Sequence, residues 1–397
     1  MPEAVIVDAI RTPIGRAAKG SLKSVRADDL AAIPLRALIE RNPQLDQSSI
    51  GDVMMGCGYG EGEQGYNVGR LALLLAGIDH HVPGTTVNRF CASSLQTTRM
   101  AFHAIKAGEG DTYIAAGVEA VSRTGRGGAQ FEPHPKLDGS EGSLYDAYIS
   151  MGMTAENVAE RCKVSREAQD EWALISQTRA VAAVETGHFD REIVPVTVPA
   201  HTETDKEGNE IELPETVVSK DDGPRPGTTI EKLAALQPVF KEGGTVTAGN
   251  ACPLNDGAAA LLVMSDEKAR ELGMRPRARI IASTVAAIRP EIMGLGPIPA
   301  VQKLLRDTGM TIGDIDVVEI NEAFAAQIVP CKQELGIEDE KLNPFGGAIA
   351  LGHPFGMTGA RIMTTLLNDM DTLDATYGVE SMCVAGGMGM AMLVERL

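Results

Sequence analysis

Two kinds of hydrophobic pattern alternate along this chain. Short runs rich in Val, Ile and Met predict strands at residues 5–9, 52–56, 85–88 and 113–116. Between them, apolar positions spaced three and four apart predict helices at 28–41, 69–76 and 93–107. The texture returns later, with strands at 277–286, 317–320 and 381–384 and helices near 300–308, 323–334 and 359–370. Strand–helix alternation of this kind implies an α/β fold.

The return of the pattern points to an internal duplication. Ile50-Gly51-Asp52-Val53 precedes one strand and Ile312-Gly313-Asp314-Ile315 another, each led by an amphipathic helix. Cys91 follows Ile50 by 41 residues, as His353 follows Ile312 (91 − 50 = 353 − 312). A pseudo-twofold would then bring both residues to one central place. From about 122 to 248 the texture changes. Residues 123–148 are rich in Gly, Pro and charge, a helix capped by Ser165 is predicted to 186, and 201–226 is polar and turn-rich. This middle part reads as an insertion laid over the core rather than another sheet. The expected division is 1–121, completed by about 249–275, then the inserted 122–248, then a second half at 276–397.

Composition narrows the function classes. A length of 397 residues exceeds one ordinary core. The net charge of −18 argues against a nucleic-acid binder, which needs a basic stripe, and against docking on anionic membrane. No run approaches the ~18 apolar residues of a spanning helix, and the start, Met1-Pro2-Glu3, shows no signal pattern. The six cysteines form no CxxC and suit neither a zinc site nor a disulfide framework, so a reducing cytoplasm is expected.

Four segments could carry chemistry. In Asn88-Arg89-Phe90-Cys91-Ala92-Ser93-Ser94 a β-run ends and small residues open a helix, placing Cys91 near free N–H groups that favour thiolate. The alternative is a buried structural cysteine. His353 lies among five glycines in residues 343–359, a setting of tight turns and close approach that no other histidine here has. Cys383, in Met382-Cys383-Val384-Ala385-Gly386-Gly387, has small neighbours whose N–H groups could meet a developing oxyanion; ordinary packing is the other reading. Asn321 and Glu322 stand where a strand gives way to a helix, either as caps or with Asn321 holding a catalytic water. Gly60-Glu61-Gly62-Glu63-Gln64-Gly65 matches a dinucleotide-binding pattern, but its two glutamates would repel a pyrophosphate.

Together these segments resemble the thiolase family. The likeness spans nearly the whole chain, from Asp8-Ala9-Ile10-Arg11-Thr12-Pro13 through Gly152-Met153-Thr154-Ala155-Glu156-Asn157 and Thr247-Ala248-Gly249-Asn250-Ala251 to Asn321-Glu322-Ala323-Phe324 and Gly352-His353-Pro354. It implies two similar βα halves in a layered α-β-α-β-α core with the loop domain inserted in the first. It implies acyl transfer to and from coenzyme A through an acyl-Cys91 intermediate, making or cleaving 3-ketoacyl-CoA with ping-pong kinetics. His353 would activate Cys91, and Cys383 would act as acid/base at the α-carbon. Asn321, through a water, and His353 would form one oxyanion hole; the N–H groups of Cys91 and Ala385 would form the other. Arg225 would meet the nucleotide end of coenzyme A, and Met151, Phe240, Ala248, Cys252, Ala323 and Phe324 its pantetheine arm. Coenzyme A is then a substrate, no cofactor or metal is called for, and a homodimer or homotetramer is expected. The chain departs from the family pattern at Ala385, usually glycine, at Ser150, often histidine in acetoacetyl-specific members, and at Cys252, often serine. Ser150 tilts the reading toward 3-ketoacyl breakdown. A catalytically silent acyl-CoA or lipid binder on the same scaffold is the alternative.

Overall fold

The computed structural model describes residues 2–124, 132–204 and 208–397. Parts of two stretches expected to be irregular or turn-rich, 125–131 and 205–207, lie outside the described residues. The first half runs β1 (Ala4–Arg11), β2 (Gly15–Arg16), α1 (Ala27–Arg41), β3 (Asp52–Gly56), α2 (Val68–Leu75), β4 (Gly84–Val87), α3 (Ser93–Ala107) and β5 (Thr112–Ala120). The middle part holds α4 (Met151–Cys162), α5 (Arg166–Glu185), β6 (Val196–Val198), β7 (His201–Thr204), β8 (Glu210–Leu213), β9 (Thr216–Val218) and α6 (Ile230–Ala234). Then follow β10 (Asn255–Ser265), α7 (Asp266–Glu271), β11 (Ala278–Ala287), α8 (Pro297–Thr308), β12 (Val317–Ile320), α9 (Ala325–Leu335), α10 (Ala348–Leu351), α11 (Thr358–Leu373), β13 (Tyr377–Val384) and β14 (Met388–Arg396).

The main sheet orders its strands β12-β13-β14-β11-β1-β10-β5-β3-β4, with β2 beside β10. Outward from the β1–β11 seam, each direction reads antiparallel, antiparallel, parallel: β10, β5, β3 on one side and β14, β13, β12 on the other. The seam itself is short, pairing Val5 with Arg279 and Ile6 with Ala278. Strand alternation sorts side chains into three cores. Leu261 and Val263 of β10 point into a cluster shared with α3, α11 and the inner faces of β13 and β14. Ala260 and Leu262 point the other way, under α1 and α2. Val318, Ile320, Leu393 and Val379 pack beneath α8 and α9. The result is the expected α-β-α-β-α stack, with α3 and α11 as its central layer.

Three expectations need correction. Strands β10 and β14 were not read from the sequence: Gly257-Ala258-Ala259-Ala260 and Met388-Gly389-Met390-Ala391 lack β-branched residues, and burial on both faces makes them strands. The middle part carries two small ribbons, β6 with β9 and β7 with β8. In the first of these, Val196 and Val198 turn inward while Thr197 faces out. The Ile50 and Ile312 markers are also out of register. Ile50 and Ile315 each close a 3-10 turn, and the residues after them, Gly51 and Asp316, donate to Thr112 O and Tyr377 O in the neighbouring strands. The equal spacing of 41 was therefore a coincidence of the tetrapeptide. Cys91 and His353 nevertheless stand just ahead of the corresponding helices, α3 and α11.

Those two helices meet through backbone. A Cβ on Gly359 would come within 2.2 Å of Leu95 N, and one on Gly117 within 2.0 Å of Gly356 O. Ala360 N–H also donates to Ser94 Oγ at 2.9 Å. Contact this close sets the N-terminal ends of α3 and α11 side by side, along with the residues that precede them.

Candidate active site

Cys91 lies in a 3-10 turn, Phe90–Ala92, that leads into α3. The turn is held by its neighbours. Asn88 Oδ1 accepts the Phe90 N–H at 2.8 Å, and Ser93 Oγ accepts Arg89 N–H and donates to Phe90 O. Phe90 takes a left-handed φ of 45°, a position that bulky residues rarely occupy. The turn packs against β13, the strand of Cys383. The expectation that the helix terminus holds Cys91 as thiolate is not met at rest. Burial pushes the thiol up to about 12, against which the N–H groups of Ala385 and of Cys91 itself work by pointing at the sulfur. Desolvation outweighs the helix end, because Cys91 is buried to 7% exposure.

His353 lies in the other half just ahead of α11, the helix that packs against the Cys91 turn. Gly352 precedes it at φ 113°, and a Cβ there would strike the Asn255 side chain at 2.7 Å. Asn255 of β10 fixes the loop, accepting the His353 N–H at 2.9 Å and donating to Gly15 O at 2.9 Å. Thr358 Oγ1 donates to Pro354 O, so toward His353 Nδ1, 2.7 Å away, its oxygen acts as acceptor. Nδ1 therefore carries the hydrogen, and Nε2 presents a lone pair. Asn321 Nδ2 donates to that nitrogen at 3.3 Å, while Asn321 Oδ1 is buried with no partner among the described residues. Burial, with the positive charge of Arg361, holds the imidazole neutral down to about 3. Neither Asn321 nor Glu322 caps a helix, because α9 begins only at Ala325 with Phe324 as its N-cap.

Cys383 is fully buried on β13, and burial holds its thiol well above the ordinary range, with Cys91 and Cys252 near enough to add to the effect. One apolar cluster joins Cys383 to Ala323, Phe324, Met293 and Ala251, with Met151 and Cys252 packed on it. Cys252 N–H donates to Ala323 O, and Phe240 meets Phe324 edge-on at 6.1 Å. Ala248 is exposed in the same segment, and Ser150 is the N-cap residue of α4. Arg225 is also exposed; its backbone N–H donates to Gln177, and no hydrogen bond or ion pair ties it to the cluster among the described residues.

Three supporting residues act on partners far along the chain, a role that the sequence does not show. Glu119 accepts hydrogen bonds from Gly58, Tyr59, Gln64 and Gly356, joining the glycine-rich 58–65 loop to the His353 loop. Gln64 of the GxGxxG look-alike is thus turned inward. Glu322 accepts from Trp172, Ser176, Asn343 and Ile349, pinning α5 of the middle part to the second half. Asn255 is the third. A lone Glu in the apolar run of β5 was the one available hint of such a hub.

The chain was compared with known proteins. The family described as Thiolase, N-terminal domain matches residues 4–267, and Thiolase, C-terminal domain matches 274–396. A beta-ketoadipyl-CoA thiolase of Acinetobacter baylyi is 47% identical, with all of both chains covered. A 3-ketoacyl-CoA thiolase of Aeromonas hydrophila is also 47% identical, again over all of both chains. The crystal structure of the Bacillus anthracis acetyl-CoA acetyltransferase superposes with a TM-score of 0.87 at 39% identity, covering 100% of this chain and 99% of that one. With both halves matched by the family and full-length relatives at 47% identity, this chain belongs to the thiolase family of acyltransferases.

Proposed function

We propose that the chain cleaves 3-oxoacyl-CoA with coenzyme A, and that its substrate is 3-oxoadipyl-CoA or a similar dicarboxylic thioester. Full-length relatives in several bacteria named beta-ketoadipyl-CoA or 3-oxoadipyl-CoA thiolase carry that choice. Ser150 at the head of α4, where acetoacetyl-specific members often have histidine, supports cleavage of 3-oxoacyl chains longer than acetoacetyl.

Cys91 starts as a neutral buried thiol, so its proton leaves as the sulfur attacks the 3-keto carbon, and His353 Nε2 takes it. The tetrahedral oxyanion accepts from the N–H groups of Cys91 and Ala385, which point at the sulfur in the resting site. Breaking the carbon–carbon bond leaves the enolate of acetyl-CoA. His353 Nε2–H and a water taken by the orphan Asn321 Oδ1 hold its oxygen. Cys383, protonated at rest, supplies the α-carbon proton. After acetyl-CoA departs, a coenzyme A thiol gives its proton to the Cys383 thiolate and takes the acyl group from Cys91, whose sulfur recovers its proton from His353, which gives ping-pong kinetics. In this reading Met151, Phe240, Ala248, Cys252, Ala323 and Phe324 line the pantetheine arm, Arg225 meets the nucleotide end, and the working form is a cytoplasmic homo-oligomer.

Coenzyme A-dependent cleavage of 3-oxoadipyl-CoA, 3-oxohexanoyl-CoA and acetoacetyl-CoA tests the substrate. The highest kcat/KM is expected for 3-oxoadipyl-CoA; a preference for either uncharged chain would reject the dicarboxylate reading. Cys91→Ala should fold, bind coenzyme A and show no acyl adduct by mass spectrometry, and an adduct on that variant would sink the role of Cys91. Cys383→Ala should still acylate from an activated thioester but lose carbon–carbon cleavage. Undiminished thiolysis by it would end the acid/base assignment.

A further inference from the structure

A cleft of about 540 Å³ opens away from the cysteine–histidine site, toward the C-terminal end of α11, where Asn368 and Asp371 line it. A smaller lobe of about 320 Å³ adjoins it, sharing Arg275, Arg277 and Asp371. Four arginines face the main lobe, Arg41, Arg191, Arg275 and Arg277, against two carboxylates, Asp8 and Asp371. Asp8 is taken by Arg41 at 2.9 Å, and Asp371 by Arg277 at 2.6 Å. Arg191 donates to neutral partners, Thr372 Oγ1 at 2.9 Å and His188 O at 3.3 Å. No ion pair engages Arg191 or Arg275 among the described residues. Two positive charges outside any ion pair among the described residues therefore share one concavity on a chain whose net charge is −18. In so acidic a molecule, local positive charge of this kind draws small anions against the overall field.

The floor of the cleft is fixed rather than solvated. Asn368 is 2% exposed, accepts from Arg277 at 2.7 Å and donates to Glu192 at 2.7 Å. Glu192 is in turn ion-paired to the buried Arg11 at 2.6 Å. Arg277 is thus aimed from below, while Val7 and Met274 give the wall an apolar part. Guanidinium forks match phosphate oxygens in pairs, and two spare cations suit a dianion better than a single carboxylate.

We propose that this cleft binds a phosphorylated small molecule carrying at least two negative charges, at a site separate from acyl transfer. Isothermal titration of the full-length protein with pyrophosphate is the test, with adipate as the carboxylate control. The wild type should bind one pyrophosphate per chain. The double variant Arg191→Gln/Arg275→Gln should bind it about tenfold or more weakly, the loss expected for charge-assisted hydrogen bonds. Its thiolysis without pyrophosphate should be unchanged. Arg225→Gln, a substitution at the exposed arginine assigned to coenzyme A, should leave pyrophosphate binding intact. Four results would overturn the proposal: no pyrophosphate binding, indifference to the double substitution, loss in Arg225→Gln instead, or adipate binding as tightly as pyrophosphate.

Discussion

Thr358 decides which nitrogen of His353 faces Asn321. Because its hydroxyl hydrogen is spent on Pro354 O, the threonine can only accept from Nδ1, and the other nitrogen is left as a base. Thr358→Val keeps the shape and removes that acceptor. The expected result is a fall in kcat of about tenfold with KM for coenzyme A little changed, and recovery in Thr358→Ser. Steady-state kinetics on the three proteins would show it; a loss carried by KM alone would mean that Thr358 only shapes the site. The neutrality of His353 also has a stability consequence. An unfolded histidine takes up a proton near pH 6.5, whereas the folded one waits until about 3, so below about 6.5 protons favour the unfolded chain. Between about pH 7 and pH 5 the wild type should lose roughly 2 kcal/mol more stability than His353→Gln, read from urea titrations at each pH. At this scale the sequence was informative where a residue acts through its neighbours in the chain. Cys91, His353 and Asn321 each sit where one element gives way to the next, and Cys383 ends a strand beside a run of small residues. Glu119 and Asn255 act on residues far along the chain and nothing beside them says so, while Glu322 was singled out as a cap and instead ties distant segments together.

The pair α3 and α11 is the element on which the site hangs. Gly359 lets α11 approach Leu95 N so closely that a methyl group has nowhere to go. Gly359→Ala should cost at least about 3 kcal/mol, or leave the chain unfolded, because the obstacle is backbone and cannot turn aside. A thermal midpoint within a few degrees of wild type would show that the helices can separate, and that their contact is looser than described. Helix boundaries here were legible, since 93–107 is predicted and observed, while β10 was not. Its alanines fit either structure, and only the layers above and below it decide. The middle part was misread for a related reason: three-residue ribbons such as β6 are too short to show periodicity.

For the whole molecule, the central core is the deciding feature. It draws side chains from β1 and β10 of one half and from β13 and β14 of the other, so neither half has a complete interior alone. Trp172, the single tryptophan, belongs to the middle part yet donates to Glu322 of the second half. Tryptophan fluorescence and far-ultraviolet circular dichroism should therefore report one coincident urea transition. Separate midpoints would mean that the inserted part comes away first. The duplication could be suspected from texture, but the tetrapeptide that suggested it was in the wrong register, as hydrogen bonds to β5 and β13 show. One consequence lies in Asn255, whose two amide atoms grip Gly15 and His353. The base of the second half is hung from a strand of the first, across a seam only two residue pairs long. The enzyme is in this sense a lock whose bolt and keeper come from its two different halves. Sequence drift in either half is free only as far as the two still close on each other.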